Sequence, residues 1–231
     1  MRVQSARPTR NGGWLHASGA TLQAALTPRG RPLPPSINAS LLVLQWAEVT
    51  PESALDTLAG ALGVSAAALA SLNAVYAPPH QAWAFPMKDG YGNAVGVRLR
   101  ANDGRKWAVR GSRQGIFLPE TEPQRRVYVC EGPTDTAAAL TIGLFAVGRP
   151  SCNCGGAEIR TACQRLGIRE AVIVADNDRP GLQGAARVAG ELGVKACIFV
   201  PPAKDIREFV QLGGTRQLIE SELKNTVWLK Q

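Results

Sequence analysis

Beyond Glu122 the chain alternates short, continuously apolar runs with helix-length segments, and this alternation constrains its fold more than any other feature. Arg126–Cys130, Phe145–Val147, Ala171–Ala175 and Ala196–Val200 read as strands. Thr134–Ile142, Ala157–Leu166, Gly181–Leu192 and Ile206–Leu212 read as helices. The strand runs are rich in Val and Ile at successive positions, as strands buried on both faces require. A strand–helix repeat of this kind predicts an α/β doubly wound, mostly parallel sheet. The expected unit covers residues 121–213, and residues 214–231 add a terminal helix over Thr215–Leu223 and a tail.

Acidic residues fall at the ends of these strands. Glu131 follows the first strand and precedes Gly132-Pro133, a tight turn that leaves its carboxylate at the rim. Asp176 and Asp178 close Val172-Ile-Val-Ala-Asp-Asn-Asp178, and Asp205 follows the last strand. In an open parallel sheet the carboxyl ends of the strands share one edge, where ligands bind. Converging carboxylates repel unless a cation neutralises them, and oxygen donors without Cys or His suit Mg²⁺ or Mn²⁺. Arg179 and Lys204 are the nearest basic residues, and Arg125, Arg126 and Arg149 read as surface side chains. The competing reading is that Asp178 and Asp205 cap the helices that follow them.

The preceding segment, residues 50–120, reads as a small α+β subdomain. Thr50-Pro51-Glu52 opens a helix that buries Leu55, Leu58 and Leu62 and stops near Gly63, and a second short helix starts at Ser65. Ala94–Arg100 alternates as a strand, with turns at Lys88–Gly92 and Asn102-Asp103-Gly104. Arg98 and Arg100 then share one face. With Arg105, Lys106, Arg110 and Arg113 they make a basic stretch opposed only by Asp103. The competing reading is a solvated basic hairpin.

Charge supports a polyanion partner. The chain carries 26 basic and 18 acidic residues, a net charge of +8, and residues 1–120 hold 12 of the basic and 6 of the acidic ones. No apolar run is long enough for a membrane span and no secretory h-region is present, so the expectation is a cytoplasmic protein without a membrane partner. Five cysteines with no Cys-x-x-Cys pair predict reduced thiols rather than disulfides or zinc. Residues 1–49, rich in Arg, Pro and Gly up to Pro35, read as a flexible arm and linker.

Cys130-Glu131-Gly132-Pro133-Thr134-Asp135, Ala175-Asp176-Asn177-Asp178 with Gly181, and Lys204-Asp205-Ile206-Arg207-Glu208 together resemble the Toprim domain of bacterial and phage primases. Phe85–Asp89, Gly96–Arg100 and Gly115–Phe117 resemble the basic subdomain that precedes it in primases. The resemblance implies a DNA primase-type nucleotidyltransferase of DNA replication, from a phage or mobile element. It implies Glu131, Asp176 and Asp178 as catalytic metal ligands, with Asp135 and Asp205 in support. It also implies Arg98, Arg100, Arg105, Lys106, Arg110, Arg113, Arg179 and Lys204 as contacts to single-stranded DNA template or to NTPs.

Two parts common in such primases are missing from the sequence: the N-terminal zinc ribbon, and the P-loop of a fused helicase. Two readings follow: a catalytic core needing a partner, for which a separately encoded helicase is one candidate, or a chain that has lost synthesis. A Toprim nuclease needs the same acids and stays open as an alternative. So does a non-catalytic replication accessory protein, which would tolerate their loss. A topoisomerase fits poorly, because the chain is too small for a DNA clamp and has only three tyrosines.

Overall fold

The structure, a computed structural model, describes residues 2–8, 14–18, 36–151 and 154–229. Residues 2–8 and 14–18 form a two-stranded antiparallel ribbon, β1 (Arg2–Pro8) and β2 (Trp14–Ser18), in a unit of its own. The expected flexible arm therefore contains paired strands. Its Pro-rich end, residues 19–35, lies outside the described residues, as does Cys152.

The segment 39–48, expected to be linker, is a helix, α1 (Ala39–Glu48), capped by the Asn38 side chain, which accepts from Leu41 N at 3.0 Å. Ala39 and Trp46 anchor it to the small sheet described below. Next come α2 (Glu52–Leu62) and α3 (Ala66–Ser71). Ser65 caps α3, and Gly63 closes α2 at φ 66°, the left-handed region a glycine enters without a Cβ penalty. Thr50 does not cap α2. Its hydroxyl donates to Trp46 O at 2.7 Å and accepts from Tyr76 N at 3.0 Å, and Pro51 occupies the cap position.

Four antiparallel strands follow in the order β3 (Val75–Ala77), β4 (Ala82–Lys88), β5 (Ala94–Arg100) and β6 (Lys106–Ala108). One face carries Val75, Ala84, Val97 and Leu99 and packs on α1. The other carries Trp83, Phe85 and Met87, which pack with α2, α3 and the helix after the next strand. Register places Arg98 opposite Phe85, and Arg100 opposite Trp83 on one side and Lys106 on the other. This second face is thus apolar along β4 and becomes basic along β5 and β6.

The α/β unit has the expected class. Its sheet, ordered β10-β9-β7-β8, is parallel throughout: β7 (Arg126–Glu131), β8 (Ala146–Arg149), β9 (Glu170–Val174) and β10 (Lys195–Phe199). Odd-numbered Val127, Val129 and Ile173 pack with α5 (Gly156–Leu166) and α6 (Arg179–Glu191). Tyr128, Cys130, Val172 and Val174 face a second cluster that draws on α4 (Gly132–Thr141), α7 (Ile206–Gln211) and α8 (Arg216–Leu223). Helices on both faces account for strands with no polar alternation. Arg126, expected at the surface, is half-buried: it donates to Glu170 Oε2 at 2.7 and 3.0 Å and to Glu220 Oε2 at 2.6 Å.

The two sheets are joined by the segment between β6 and β7. Ile116 exchanges backbone hydrogen bonds with Lys88 (2.7 and 2.8 Å), and Phe117 exchanges two with Gly148 (both 2.9 Å). Gly148 permits this approach, because a Cβ there would strike Thr136 Oγ1 and come within 2.9 Å of Gly132 O and Phe117 Cδ2. Gly148→Ala should therefore lower unfolding stability by about 2–4 kcal/mol. Gly60→Ala, on exposed α2 with nothing within 4 Å of the new Cβ, should instead raise it by about 0.5–1 kcal/mol. Equilibrium urea denaturation of both variants measures the contrast.

Candidate functional site

The carboxyl edge of the parallel sheet and the basic end of the small sheet face each other across a cleft of about 250 Å³. Its floor carries Glu131, Asp135, Asp176 and Asp205, and its wall Arg98, Arg100, Lys106, Lys204 and Arg207. Each acid arrives by a different local device. Glu131 ends β7 and stands at the cap position of α4, but its side chain makes no capping bond, so the carboxylate is free to face the cleft. Asp135 is one turn further along α4, on the same side. Asp176 follows β9 directly. Asp205 caps α7, accepting from Glu208 N at 2.8 Å, while Glu208 accepts from Lys204 N at 2.7 Å. A backbone bond from Asn177 N to Lys204 O (2.9 Å) ties the loops after β9 and β10 together.

Asp178 behaves differently. It is exposed, caps α6 by accepting from Gly181 N at 2.7 Å, and does not line the cleft. Its charge still reaches Asp176. The capping reading is therefore correct for both Asp178 and Asp205, and for Asp205 it coexists with a place in the cleft.

The floor is electrostatically crowded. Asp135 is buried, and burial with the neighbouring charges of Asp205 and Asp176 pushes its carboxyl up to about 8, against weaker relief from Lys106 and Arg207. Asp176 is pushed up to about 6 by burial and by Glu131, Asp205 and Asp178. Asp135 Oδ1 and Arg207 Nε face each other at 3.8 Å, too far for a hydrogen bond, and neither atom has such a partner among the described residues. On the wall, Arg98 is held by its Nη2 donating to Pro150 O at 2.6 Å. Burial and the nearby Arg207 lower the Arg100 guanidinium from its ordinary value.

The expectation of few basic residues at these strand ends is corrected. Arg207 lines the cleft, and Arg149, expected on the surface, is fully buried with Nη2 3.9 Å from Glu131 Oε2. Of the basic residues singled out from sequence, Arg98, Arg100, Lys106 and Lys204 line the cleft. Arg105, Arg110, Arg113 and Arg179 are exposed and do not, and Arg105 pairs with Asp103 at 2.7 Å.

The donor set suits a hard divalent cation: several carboxylates, two of them resisting ionisation through burial and then through their neighbours' charge, and no His or Cys lining the cleft. Among the described residues, no three acidic, His or Cys side chains form a ready-made metal cage. The carboxylates are a spread floor, compatible with an ion that keeps water or phosphate oxygens for the rest of its shell.

No known family profile matches the chain. Over 146 residues it is 28% identical to the Gene 57 protein of Mycobacterium phage D29, covering 62% of this chain and 93% of that one. Its fold is that of primase catalytic cores. The catalytic core of DnaG superposes with a TM-score of 0.65 at 14% identity, over 82% of this chain and 79% of that one. The DnaG primase catalytic domain bound to single-stranded DNA gives 0.64 at 14%, over 83% and 79%.

The raised Asp135 carboxyl has a consequence for stability. Between the unfolded value of 3.8 and about 8 the native state keeps a proton that the unfolded chain has lost, so stability falls as pH rises through that window. In metal-free buffer the wild-type Tm should drop between pH 6 and pH 8 more steeply than that of Asp135→Asn, whose amide does not titrate. Parallel Tm–pH curves would contradict this assignment.

Proposed function

We propose that the chain is a primase-type Toprim core that carries out divalent-cation-dependent phosphoryl transfer on nucleic acid, forming RNA primers on single-stranded DNA. The observation that carries this reading is a single cleft holding four carboxylates on one side and five cationic side chains on the other. A carboxylate floor alone would repel a polyphosphate. A cationic wall alone would bind one without chemistry.

In this reading Glu131 and Asp176 hold Mg²⁺ or Mn²⁺, with Asp135, Asp205 and, from outside the cleft, Asp178 setting the field. A divalent cation bound there would supply charge neutralisation at phosphate oxygens and activation of the attacking hydroxyl. Arg98, Arg100, Lys106, Lys204 and Arg207 bind and orient the phosphates of the NTP and the template. Arg105, Arg110, Arg113 and Arg179 stand outside the cleft and would act as an outer track for template phosphates. The fold shared with primase cores and a relative encoded by a phage favour a replication role. A helicase is the partner this reading calls for. Among the described residues no helix is long and apolar enough to cross a membrane.

The test is primer synthesis from labelled NTPs on mixed-sequence single-stranded DNA with Mg²⁺ or Mn²⁺. Wild type should make short labelled oligonucleotides. Asp176→Ala and Glu131→Ala should lose at least about a hundredfold in rate, and Arg100→Ala about tenfold, mainly through a raised KM for NTP. Template cleavage in place of synthesis, lost in the same acid variants, would identify a nuclease. DNA binding with neither activity would leave a binding protein.

A further inference from the structure

Arg149 has no part in the assignment above, yet it is among the largest fully buried side chains in the protein. It ends β8, and the parallel register sets it directly beside Glu131 at the end of β7. Its Nη2 lies 3.9 Å from Glu131 Oε2, and no solvent reaches the guanidinium, while Glu131 keeps 29% side-chain exposure. A guanidinium cannot shed its proton to escape burial, so its charge persists beneath the floor. Its field is felt by neighbours as well: it opposes the upward shifts of Asp176 and Cys130.

We propose that Arg149 is a positioning residue and resident counter-cation, which holds Glu131 at the rim and competes with the divalent ion for it, so weakening the floor's affinity for that ion. The inference rests on the reading of Glu131 and Asp176 as cation ligands. A fixed positive charge one side chain away from a ligand carboxylate opposes an incoming dication, and low local dielectric enlarges that opposition. The same charge, 3.9 Å away, holds the Glu131 carboxylate aimed before an ion arrives. The floor then fills readily only when a phosphate-bearing ligand brings further negative charge into the cleft.

The probe is Mn²⁺ titrated calorimetrically into the full chain without nucleotide. Arg149→Met should bind Mn²⁺ about tenfold or more tightly than wild type. Arg149→Lys, which keeps the charge, should stay near wild type. Because the effect acts through Glu131, Arg149→Met combined with Glu131→Gln should show little gain over Glu131→Gln alone. Equal or weaker Mn²⁺ affinity in Arg149→Met overturns the proposal.

Asp176→Asn separates this failure from that of the cation site itself. If Asp176→Asn binds Mn²⁺ as well as wild type, the floor is not a cation site. If it binds more weakly while Arg149→Met shows no gain, only the role of Arg149 fails. A metal-free readout covers the case in which Arg149→Met does not fold. Glu131→Gln leaves the buried guanidinium without its carboxylate and should unfold several degrees below wild type in chelator. Equal Tm values would contradict the pairing.

Discussion

Two residues in an otherwise irregular stretch, Ile116 and Phe117, carry the geometry on which the cleft depends. Ile116 closes a backbone pair with Lys88 of the small sheet and Phe117 closes one with Gly148 of the parallel sheet, so four short hydrogen bonds lock the two sheets together. Both side chains are buried, Ile116 in the core of the α/β unit and Phe117 against α4 and the small sheet. Arg98 adds a polar stitch to Pro150 just beyond Gly148. Without this clasp the basic wall and the acidic floor would be two surfaces. With it they are one site, held by backbone rather than by long side chains.

The balance inside the cleft follows from that clasp. Burial, and then the charge of carboxylates delivered by three strand ends, favours the neutral form at Asp135 and Asp176. Arg207 and Lys106 stand close enough to Asp135 to relieve it partly, but the Asp135–Arg207 pair stays open at 3.8 Å. Groups held near each other without closing are suited to a ligand that carries both signs, such as a cation with its phosphate. Fully closed ion pairs would have given a less receptive site.

Much of this was legible in the sequence, for identifiable reasons. Strands buried on both faces show as unbroken Val and Ile runs, and the open-sheet rule then puts Glu131, Asp176 and Asp205 on one edge. Strand period put Arg98 and Arg100 on one face. What the sequence did not disclose depends on register and packing. Arg149 lies past the apolar run Phe145–Val147, beyond Gly148, so nothing local marks it as a strand residue; only its pairing with Glu131 does. Arg207 lies one residue into α7, where helix phase sets its direction. Helix α1 did leave a signal, with Asn38 as cap and no Gly or Pro between Ser36 and Thr50, but the Pro-rich stretch before it dominated the reading. Arg105, Arg110 and Arg113 are near Arg98 in sequence but lie outside the cleft, because strand register and the turns between them set their direction.

The central claim is that floor and wall form one site, and coupling between its ligands tests it most directly. By linkage, a triphosphate and a divalent ion bound to one cleft change each other's affinity by the same factor, and their opposite charges make that change an increase. Mn²⁺ affinity measured with and without a non-hydrolysable nucleoside triphosphate should rise about tenfold or more in wild type, after correction for ion bound to free nucleotide. That gain should disappear in Arg100→Ala, which alters only the wall, and in Asp176→Asn, which alters only the floor. Mn²⁺ affinity indifferent to nucleotide, or a gain that survives Arg100→Ala undiminished, would mean that the two surfaces act separately.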